Sequence, residues 1–195
     1  MSTGKMSSFE KSFINSDRHS WRVSQNAERL VRLANPQPGQ RYLDVGCGNG
    51  TATINIGQRF RLDVTGVDID AEQIALAKAS SQKMTNARFM TLDSLDLTFA
   101  DGEFDIVFTN KVIHHVPNWQ KSIAEMTRVL KPDGHLIYSD FIFPPLAARL
   151  GETFFSSQGG FPTRQALEDL FMRSGLQEVY RSALPLHFEG IYLKK

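Results

Sequence analysis

Three glycines at alternate positions close a short apolar run early in the chain, in the sequence Tyr42-Leu43-Asp44-Val45-Gly46-Cys47-Gly48-Asn49-Gly50. An apolar run that ends in such a turn is typical of a buried strand that enters a helix through a tight loop. Glycine lets the backbone turn sharply and leaves room for a ligand to lie against it. The segment therefore predicts an α/β fold with a ligand site at the end of its first strand.

The spacing of the glycines separates two classes of ligand. A dinucleotide fingerprint, G-x-G-x-x-G, would place its third glycine at position 51, where Thr51 stands. The chain instead has D-x-G-x-G-x-G, with Asp44 inside the strand. This spacing disfavours an NAD-dependent oxidoreductase and leaves another nucleotide-type ligand open.

Length and charge exclude several classes of protein. A chain of 195 residues suits one compact domain, and 22 basic and 21 acidic residues are well mixed, which disfavours nucleic acid as a partner. No apolar run of about 18 residues occurs and the first ten residues are polar, so we expect neither a membrane span nor export, and a cytoplasmic location. The single cysteine, Cys47, excludes an intramolecular disulfide. The oligomeric state stays open.

Strand and helix patterns alternate along the chain. The predicted strands are 41–45, 62–67, 87–92, 104–109, 135–141, 176–181 and 188–193, and the predicted helices are 20–35, 51–60, 71–84, 119–130 and 163–173. Such alternation predicts a mostly parallel sheet with helices on both faces. Pro185 separates the last two strands, which suggests an antiparallel pair.

Acidic residues close two of the predicted strands. Asp68 ends the second strand and Asp93 ends the third, and the carboxyl edge of such a sheet is where ligands bind. Asp68 lies 22 residues after Gly46, a spacing that a dinucleotide site would also use. For Asp44 two roles stay open: fixing the amides of the loop, or direct contact with the ligand.

Five segments, taken in order, resemble the motifs of the class I S-adenosylmethionine-dependent methyltransferases. The resemblance covers about residues 41–140 and is closest to the small-molecule branch, methyltransferase type 11-like, which includes the quinone-biosynthesis enzymes. It implies a Rossmann-like, doubly wound sheet of seven strands in the order 3-2-1-4-5-7-6, with the C-terminal strand antiparallel. The five segments are Leu43–Gly50, Val64–Ile69, Phe89–Ser94, Phe104–Pro117 and Leu130–Leu136.

The resemblance also implies the cofactor, S-adenosylmethionine, and its product S-adenosylhomocysteine. Free N–H groups of the glycine loop would suit an anionic group of the cofactor, Asp68 the ribose hydroxyls, and Asp93 the adenine amino group. Asn110 and its neighbours would offer carbonyls to the ammonium. The expected cofactor-binding residues are Asp44, Gly46, Cys47, Gly48, Asn49, Gly50, Asp68, Ile69, Asp93, Ser94 and Asn110.

Apolar residues concentrate in the segments expected to cover the sheet's carboxyl edge: the arm 1–22, the loop 111–117 and an insertion at 141–161. We therefore divide the chain into an N-terminal arm and helix, 1–35, forming part of a lid, and a methyltransferase domain, 36–195. An apolar lining suits a small apolar acceptor, with C-methylation of a quinone or lipid as an alternative. The expected pocket residues are Trp21, Ile113, Phe141, Phe143, Phe154 and Phe155.

Two adjacent histidines follow the fourth strand. In an extended segment they would point in opposite directions, and His115, directly before Val116-Pro117, is the expected general base, with His114 the alternative. No metal-ligand spacing occurs nearby, so we expect no metal. The absence of an N-P-P-Y element after this strand disfavours methylation of a nucleobase amino group. A non-catalytic module that keeps the cofactor site is a further alternative.

Overall fold

The computed structural model describes residues 17–155 and 160–195, which alternate between strands and helices. The strands are β1 (Arg41–Val45), β2 (Asp63–Asp68), β3 (Ala87–Thr91), β4 (Phe104–Asn110), β5 (Leu130–Phe141), β6 (Leu176–Leu184) and β7 (His187–Lys194). The helices are α1 (Asp17–Leu33), α2 (Thr51–Phe60), α3 (Ala71–Ser80), α4 (Trp119–Val129), α5 (Pro145–Phe155) and α6 (Arg164–Arg173).

All seven strands form one sheet in the order β3-β2-β1-β4-β5-β7-β6. Strands β1 to β5 run parallel, whereas β7 is antiparallel to both β5 and β6. The expected order, the mostly parallel sheet and the antiparallel C-terminal pair are confirmed. Because β1 lies between β2 and β4, the carboxyl ends of these three strands meet at one edge.

Helices cover both faces of the sheet. On one face, α1 packs Ala27, Leu30 and Val31 against Ile137 and Ile191, and all five side chains are fully buried. On the other face, α4 and α6 pack against Leu136, Tyr138 and Phe188, contributing Ile123, Met126, Leu167 and Phe171. Helix α1, assigned by sequence to an N-terminal arm, is therefore part of the hydrophobic core.

The turn Lys131-Pro132-Asp133-Gly134 differs from its expected role as a break between helix and strand. Leu130 already pairs with Phe104, and the next pair joins Ile106 to His135, so the four residues form a bulge within β5. Asp133 takes a left-handed φ of 60° to make the bulge. Helix α3 also ends early, at Ser80 rather than residue 84, and α1 begins at Asp17 rather than 20.

The connection from β5 to α6 holds helix α5, inside the segment identified from sequence as an insertion. Phe143 N–H donates to the Pro162 carbonyl at 3.0 Å, which joins the two ends of this connection. Across the described ranges, none of the helices combines the length and the apolar character that crossing a bilayer requires.

Candidate active site

The glycine loop lies between β1 and α2, and all three of its glycines have a left-handed φ, between 54° and 82°. A Cβ on Gly46 would meet Val112 Cγ2 at 2.1 Å, and one on Gly50 would meet Ala77 Cβ at 2.7 Å. A Cβ on Gly48 would meet nothing closer than Gln73 Oε1, at 3.9 Å. Gly46 and Gly50 therefore allow close packing, whereas Gly48 borders open space that a ligand can fill.

The amide groups of this loop are not free, which corrects the role expected for them. Gly46 and Cys47 N–H both donate to the Val67 carbonyl, at 2.8 and 3.0 Å, and Gly48 N–H donates to Asp68 Oδ2 at 2.9 Å. Gly50 N–H donates to the Cys47 carbonyl at 3.0 Å. These four amides bind acceptors of the protein itself because β2 lies beside the loop. The loop therefore gives a ligand space beside its backbone, and these four N–H groups are already used.

Asp68 stands where the sequence places it, at the carboxyl end of β2. Its two oxygens accept hydrogen bonds from the Gly48 and Asp70 amides, each at 2.9 Å. Burial raises the pKa of Asp68, and these hydrogen bonds partly oppose the shift. Each carboxylate oxygen can accept a further bond, so a ribose diol can still bind here.

Asp44 ties β1 to α2. Its Oδ2 accepts a 2.5 Å hydrogen bond from the Thr53 hydroxyl, and the residue is 3% exposed. Burial raises the pKa of Asp44 to about 7, with the Thr53 hydrogen bond lowering it and the charge of Asp68 raising it. Burial likewise raises the pKa of the Cys47 thiol well above its ordinary value, so Cys47 is a packed neutral thiol.

Several buried side-chain oxygens have no hydrogen-bond partner within the described ranges, and two of them lie at this edge: Asn110 Oδ1, at the end of β4, and Gln73 Oε1, which faces Gly48. A buried acceptor without a donor is costly, and such atoms are rare unless a ligand or water satisfies them. The ammonium and hydroxyl groups of S-adenosylmethionine are suitable donors, so this edge fits that cofactor. Gln73 was not identified from sequence, because a glutamine on a helix carries no signal.

The end of β3 lies beside Asp68, since the Leu92 N–H donates to the Asp68 carbonyl at 3.1 Å. Asp93, one residue further, is exposed, and its Oδ1 accepts the Leu95 N–H at 2.9 Å. Ile69 and Ser94 are partly exposed. The structure thus brings the ends of β2 and β3, the segments expected around ribose and adenine, to one edge.

His114 and Asp140 form a side-chain pair at the other end of this edge. His114 Nδ1 lies 2.6 Å from Asp140 Oδ1, and the Asp140 side chain is fully buried. Asp140 Oδ2 also accepts the Val112, Ile113 and His114 amides, at 2.9, 2.6 and 3.4 Å. One carboxylate therefore fixes both the loop after β4 and the orientation of the His114 ring.

Asp140 was missed by sequence reasoning, although a signal existed. It follows Tyr138 and Ser139 near the end of β5, where the rule that selected Asp68 and Asp93 also applies. The two histidines do not sit in an extended segment but in a 3-10 turn, Ile113–His115, with ring centroids 3.9 Å apart. His115 is exposed, whereas the His114 side chain is 17% exposed.

The loop after β4 and the segment after β5 are in contact, and both were expected from the sequence at the sheet's carboxyl edge. Gly160 N–H donates to the His114 carbonyl at 3.0 Å, and Phe141 packs edge-on against the His114 ring at 5.0 Å. Within the segment after β5, Phe143 packs against Phe161, and their ring centroids lie 5.2 Å apart.

The other expected pocket residues differ in their placement. Ile113 is fully buried in the core. The side chains of Trp21, Phe154 and Phe155, and all of residues 1–16, lie outside the described residues. Within the described ranges no three His, Cys, Asp or Glu side chains come together as a metal site.

Comparison with known proteins supports this description. Residues 43–138 match a family model described as a methyltransferase domain. The 27-O-demethylrifamycin SV methyltransferase of Amycolatopsis mediterranei is 32% identical over 126 residues, which are 63% of this chain and 46% of that protein. The demethylmenaquinone methyltransferase of Staphylococcus epidermidis is 25% identical over 178 residues, which are 78% of this chain and 74% of that protein.

The fold is matched over a longer stretch. The structure of a putative sarcosine dimethylglycine methyltransferase from Galdieria sulphuraria superposes with a TM-score of 0.79 at 14% identity, covering 91% of this chain and 87% of that one. The chain spans about half the length of the first curated relatives it matches. Sheet order, glycine loop and family match agree that residues 43–138 are a methyltransferase domain with the class I S-adenosylmethionine-dependent fold.

Proposed function

We propose that this chain transfers a methyl group from S-adenosylmethionine to a small, largely apolar acceptor that carries an aromatic hydroxyl, such as a phenol or a hydroquinone. The observation that carries this proposal is the His114–Asp140 pair, 2.6 Å apart. It lies at the same sheet edge as the open space beside Gly48. The sulfonium methyl of the donor is already activated and needs no base. An acceptor hydroxyl must lose its proton, so its reaction is faster when a base accepts that proton.

The cofactor would be held by residues of β2, β4 and α3. Asp68 would accept from the ribose hydroxyls, while Asn110 Oδ1 and Gln73 Oε1 would accept from donors of the methionine and ribose parts. The bound cofactor supplies an activated sulfonium methyl. Positioning the two reactants can contribute roughly 7–11 kcal/mol of the barrier, so most of the catalysis rests on geometry.

His114 is the proposed base, in preference to His115. With Asp140 as its partner, Nδ1 carries the ring proton, and Nε2 is left to accept the proton of the acceptor hydroxyl. With its proton on Nε2, the acceptor would have an electron pair free for the methyl carbon, and the cofactor would supply that methyl group with S-adenosylhomocysteine, a neutral thioether, as its leaving group. Attack by oxygen gives an ether; attack by the ring carbon of the same phenolate gives C-methylation, with later loss of the ring proton.

The surroundings of His114 favour an apolar acceptor. Phe141 packs on the imidazole, and Phe143 and Phe161 pack together in the adjoining segment. The names of the two relatives refer to an O-demethylated rifamycin and to a demethylated menaquinone. Both attack modes, at oxygen and at a quinone ring, are therefore proposed for test.

The test is transfer of labelled methyl to a panel of simple phenols and hydroquinones, with and without chelator. We expect transfer that survives chelation, because no metal site is proposed. His114→Gln should lower kcat with little change in cofactor Kd, and His115→Gln should not. Cofactor binding without transfer to any hydroxylated aromatic would contradict the acceptor class, and a chelator-sensitive rate restored by magnesium would point to a catechol.

A further inference from the structure

Four leucines are exposed at one corner of the molecule. Leu184 and Leu186 flank Pro185 in the turn between β6 and β7 and are 64% and 57% exposed; Leu146 and Leu150 on α5 are 72% and 50% exposed. The Ile142 N–H donates to the Leu186 carbonyl at 3.2 Å, and α5 begins three residues later. Both pairs therefore belong to the same corner, which we name the leucine corner.

This corner adjoins the proposed acceptor site. Phe141 pairs with His187 at the start of β7, directly beside the turn that carries Leu184 and Leu186. The same Phe141 contacts the His114 ring at 5.0 Å and is itself 39% exposed. Phe141 thus lies between the strand that leads into the leucine corner and the proposed base.

Two cations border the leucine corner. Arg149 lies on α5 between the two leucines and is exposed, and Lys111 Nζ lies 5.7 Å from the Phe141 ring centroid. Among the described side chains of residues 141–151 and 182–188 there is no aspartate or glutamate. A second copy docked by the same patch would bring these cations together with no acid among the described side chains of the two ranges, which disfavours a two-fold dimer here.

We propose that the leucine corner docks on an anionic lipid surface, with the four leucines entering the headgroup region and Arg149 and Lys111 facing the phosphates. Exposed apolar side chains bordered by cations are the combination that binds such interfaces. Resting on the proposed function, we infer that the acceptor is a lipophilic hydroquinone or phenol that reaches His114 from that surface past Phe141.

The experiment is co-sedimentation with vesicles of phosphatidylcholine alone or mixed with phosphatidylglycerol. The test variants are the double substitutions Leu184→Glu/Leu186→Glu and Leu146→Glu/Leu150→Glu. Met172→Glu is the matched control, because Met172 is 72% exposed on α6, away from the corner. All these side chains are exposed, so unchanged melting temperatures confirm that the variants fold.

We expect binding to the anionic vesicles that weakens with salt, about tenfold loss of partitioning for each leucine replaced, and wild-type binding for Met172→Glu. No binding of the wild-type chain, or equal loss in Met172→Glu, would overturn the proposal. Self-association that the leucine variants abolish, without vesicle binding, would replace the lipid surface by a second copy. Calorimetry with S-adenosylmethionine in the absence of vesicles reports separately on the proposed function, so the two can fail independently.

Discussion

The two ends of the sheet's carboxyl edge are built differently. At β1 and β2, the site is made by main-chain groups: glycine clearances, and amides that donate to Val67 and Asp68. At β4, β5 and β7, it is made by side chains, with His114 bonded to Asp140 and Phe141 packed between two histidine rings. A cofactor shared by a family can be bound through glycine clearance and a few polar side chains such as Asp68, whereas an acceptor peculiar to one enzyme needs side chains that can vary.

The largest effect should appear at the side-chain end. Replacing His114 with glutamine removes the proposed base, so kcat should fall by about 10²–10⁴-fold. Cofactor affinity, measured by calorimetry, should stay within a factor of two or so of wild type, because the base belongs to the acceptor end. His115→Gln is the matched control next in the chain. Equal losses of kcat in the two variants would mean that the contact with Asp140 does not make His114 the base in preference to His115.

The next effect concerns pH and the buried acid at the backbone end. With a folded pKa of about 7, Asp44 keeps its proton when the unfolded chain has already lost it. The stability of the cofactor-free protein should therefore fall as pH rises from about 4 to about 7, by at most about 4 kcal/mol from this group.

Asp44→Asn should flatten that slope, because its side chain carries no charge and can still accept from Thr53. Urea unfolding at a series of pH values measures the difference between the two proteins. A slope that is the same in wild type and variant would show that Asp44 does not titrate in this range, and Asp68 would then be the remaining raised carboxyl.

A smaller effect on cofactor binding tests which property of Gly46 matters: the space left by its missing side chain or its left-handed backbone conformation. Gly46→Ala and Gly39→Ala each force alanine into a left-handed φ, 82° and 81°, at about 1–2 kcal/mol. Only the Gly46 methyl group would overlap Val112; nothing lies within 4 Å of a Cβ on Gly39. Gly46→Ala should also weaken cofactor binding, by about 10–100-fold, since Val112, in the loop after β4, would be displaced. Weakening by Gly39→Ala of the same size would mean that stability, not clearance, controls binding.

The smallest effect tests how α1 is held against the acceptor end. Arg29 NH2 donates to Glu189 Oε2 at 2.5 Å, and Glu189 is 8% exposed. Burial raises the pKa of Glu189, but the hydrogen bond and charge of Arg29 outweigh it, so the pKa is lowered overall. Arg29→Met should cost about 1 kcal/mol of unfolding free energy, a value reduced because Arg29 is nearly half exposed.

Arg32→Met is the control for that substitution, since Arg32 pairs with Glu28 four residues away on the helix surface. It should change stability by no more than about 0.5 kcal/mol. Thermal or urea unfolding of the two variants gives the comparison. Equal and small effects would indicate that α1 is held by its buried Ala27, Leu30 and Val31 alone.

The same contrast explains what the sequence could and could not predict. Strand β1, the glycine loop and Asp68 lie within one continuous stretch, so local pattern was enough to place them. The His114–Asp140 bond joins residues 26 apart, one in the turn after β4 and one on β5, and the sequence does not state the register of these two strands. The choice between His114 and His115 depended on that bond and on a 3-10 turn, and neither has a periodic signal.

The bulge at Lys131–Gly134 and the engaged amides of the glycine loop show a second limit. A Pro-Asp-Gly turn signals that the chain bends, but not that the bend lies inside a strand that has already paired with Phe104. Likewise, a glycine loop indicates that another group lies close to its backbone. It does not indicate that the loop amides donate to the Val67 carbonyl, which they do because β2 lies beside the loop. In both cases tertiary neighbours decided a detail that local sequence leaves open.

The most direct test of the account is calorimetric titration of the purified chain with S-adenosylmethionine, S-adenosylhomocysteine and NAD, repeated for Asp68→Asn. The account predicts that both sulfur compounds bind at a single site, that NAD does not bind, and that Asp68→Asn loses about 1–3 kcal/mol of binding free energy as its charged acceptor is removed. Binding of NAD without either sulfur compound would contradict the central claim that the loop at Gly46, Gly48 and Gly50 serves a methyl donor.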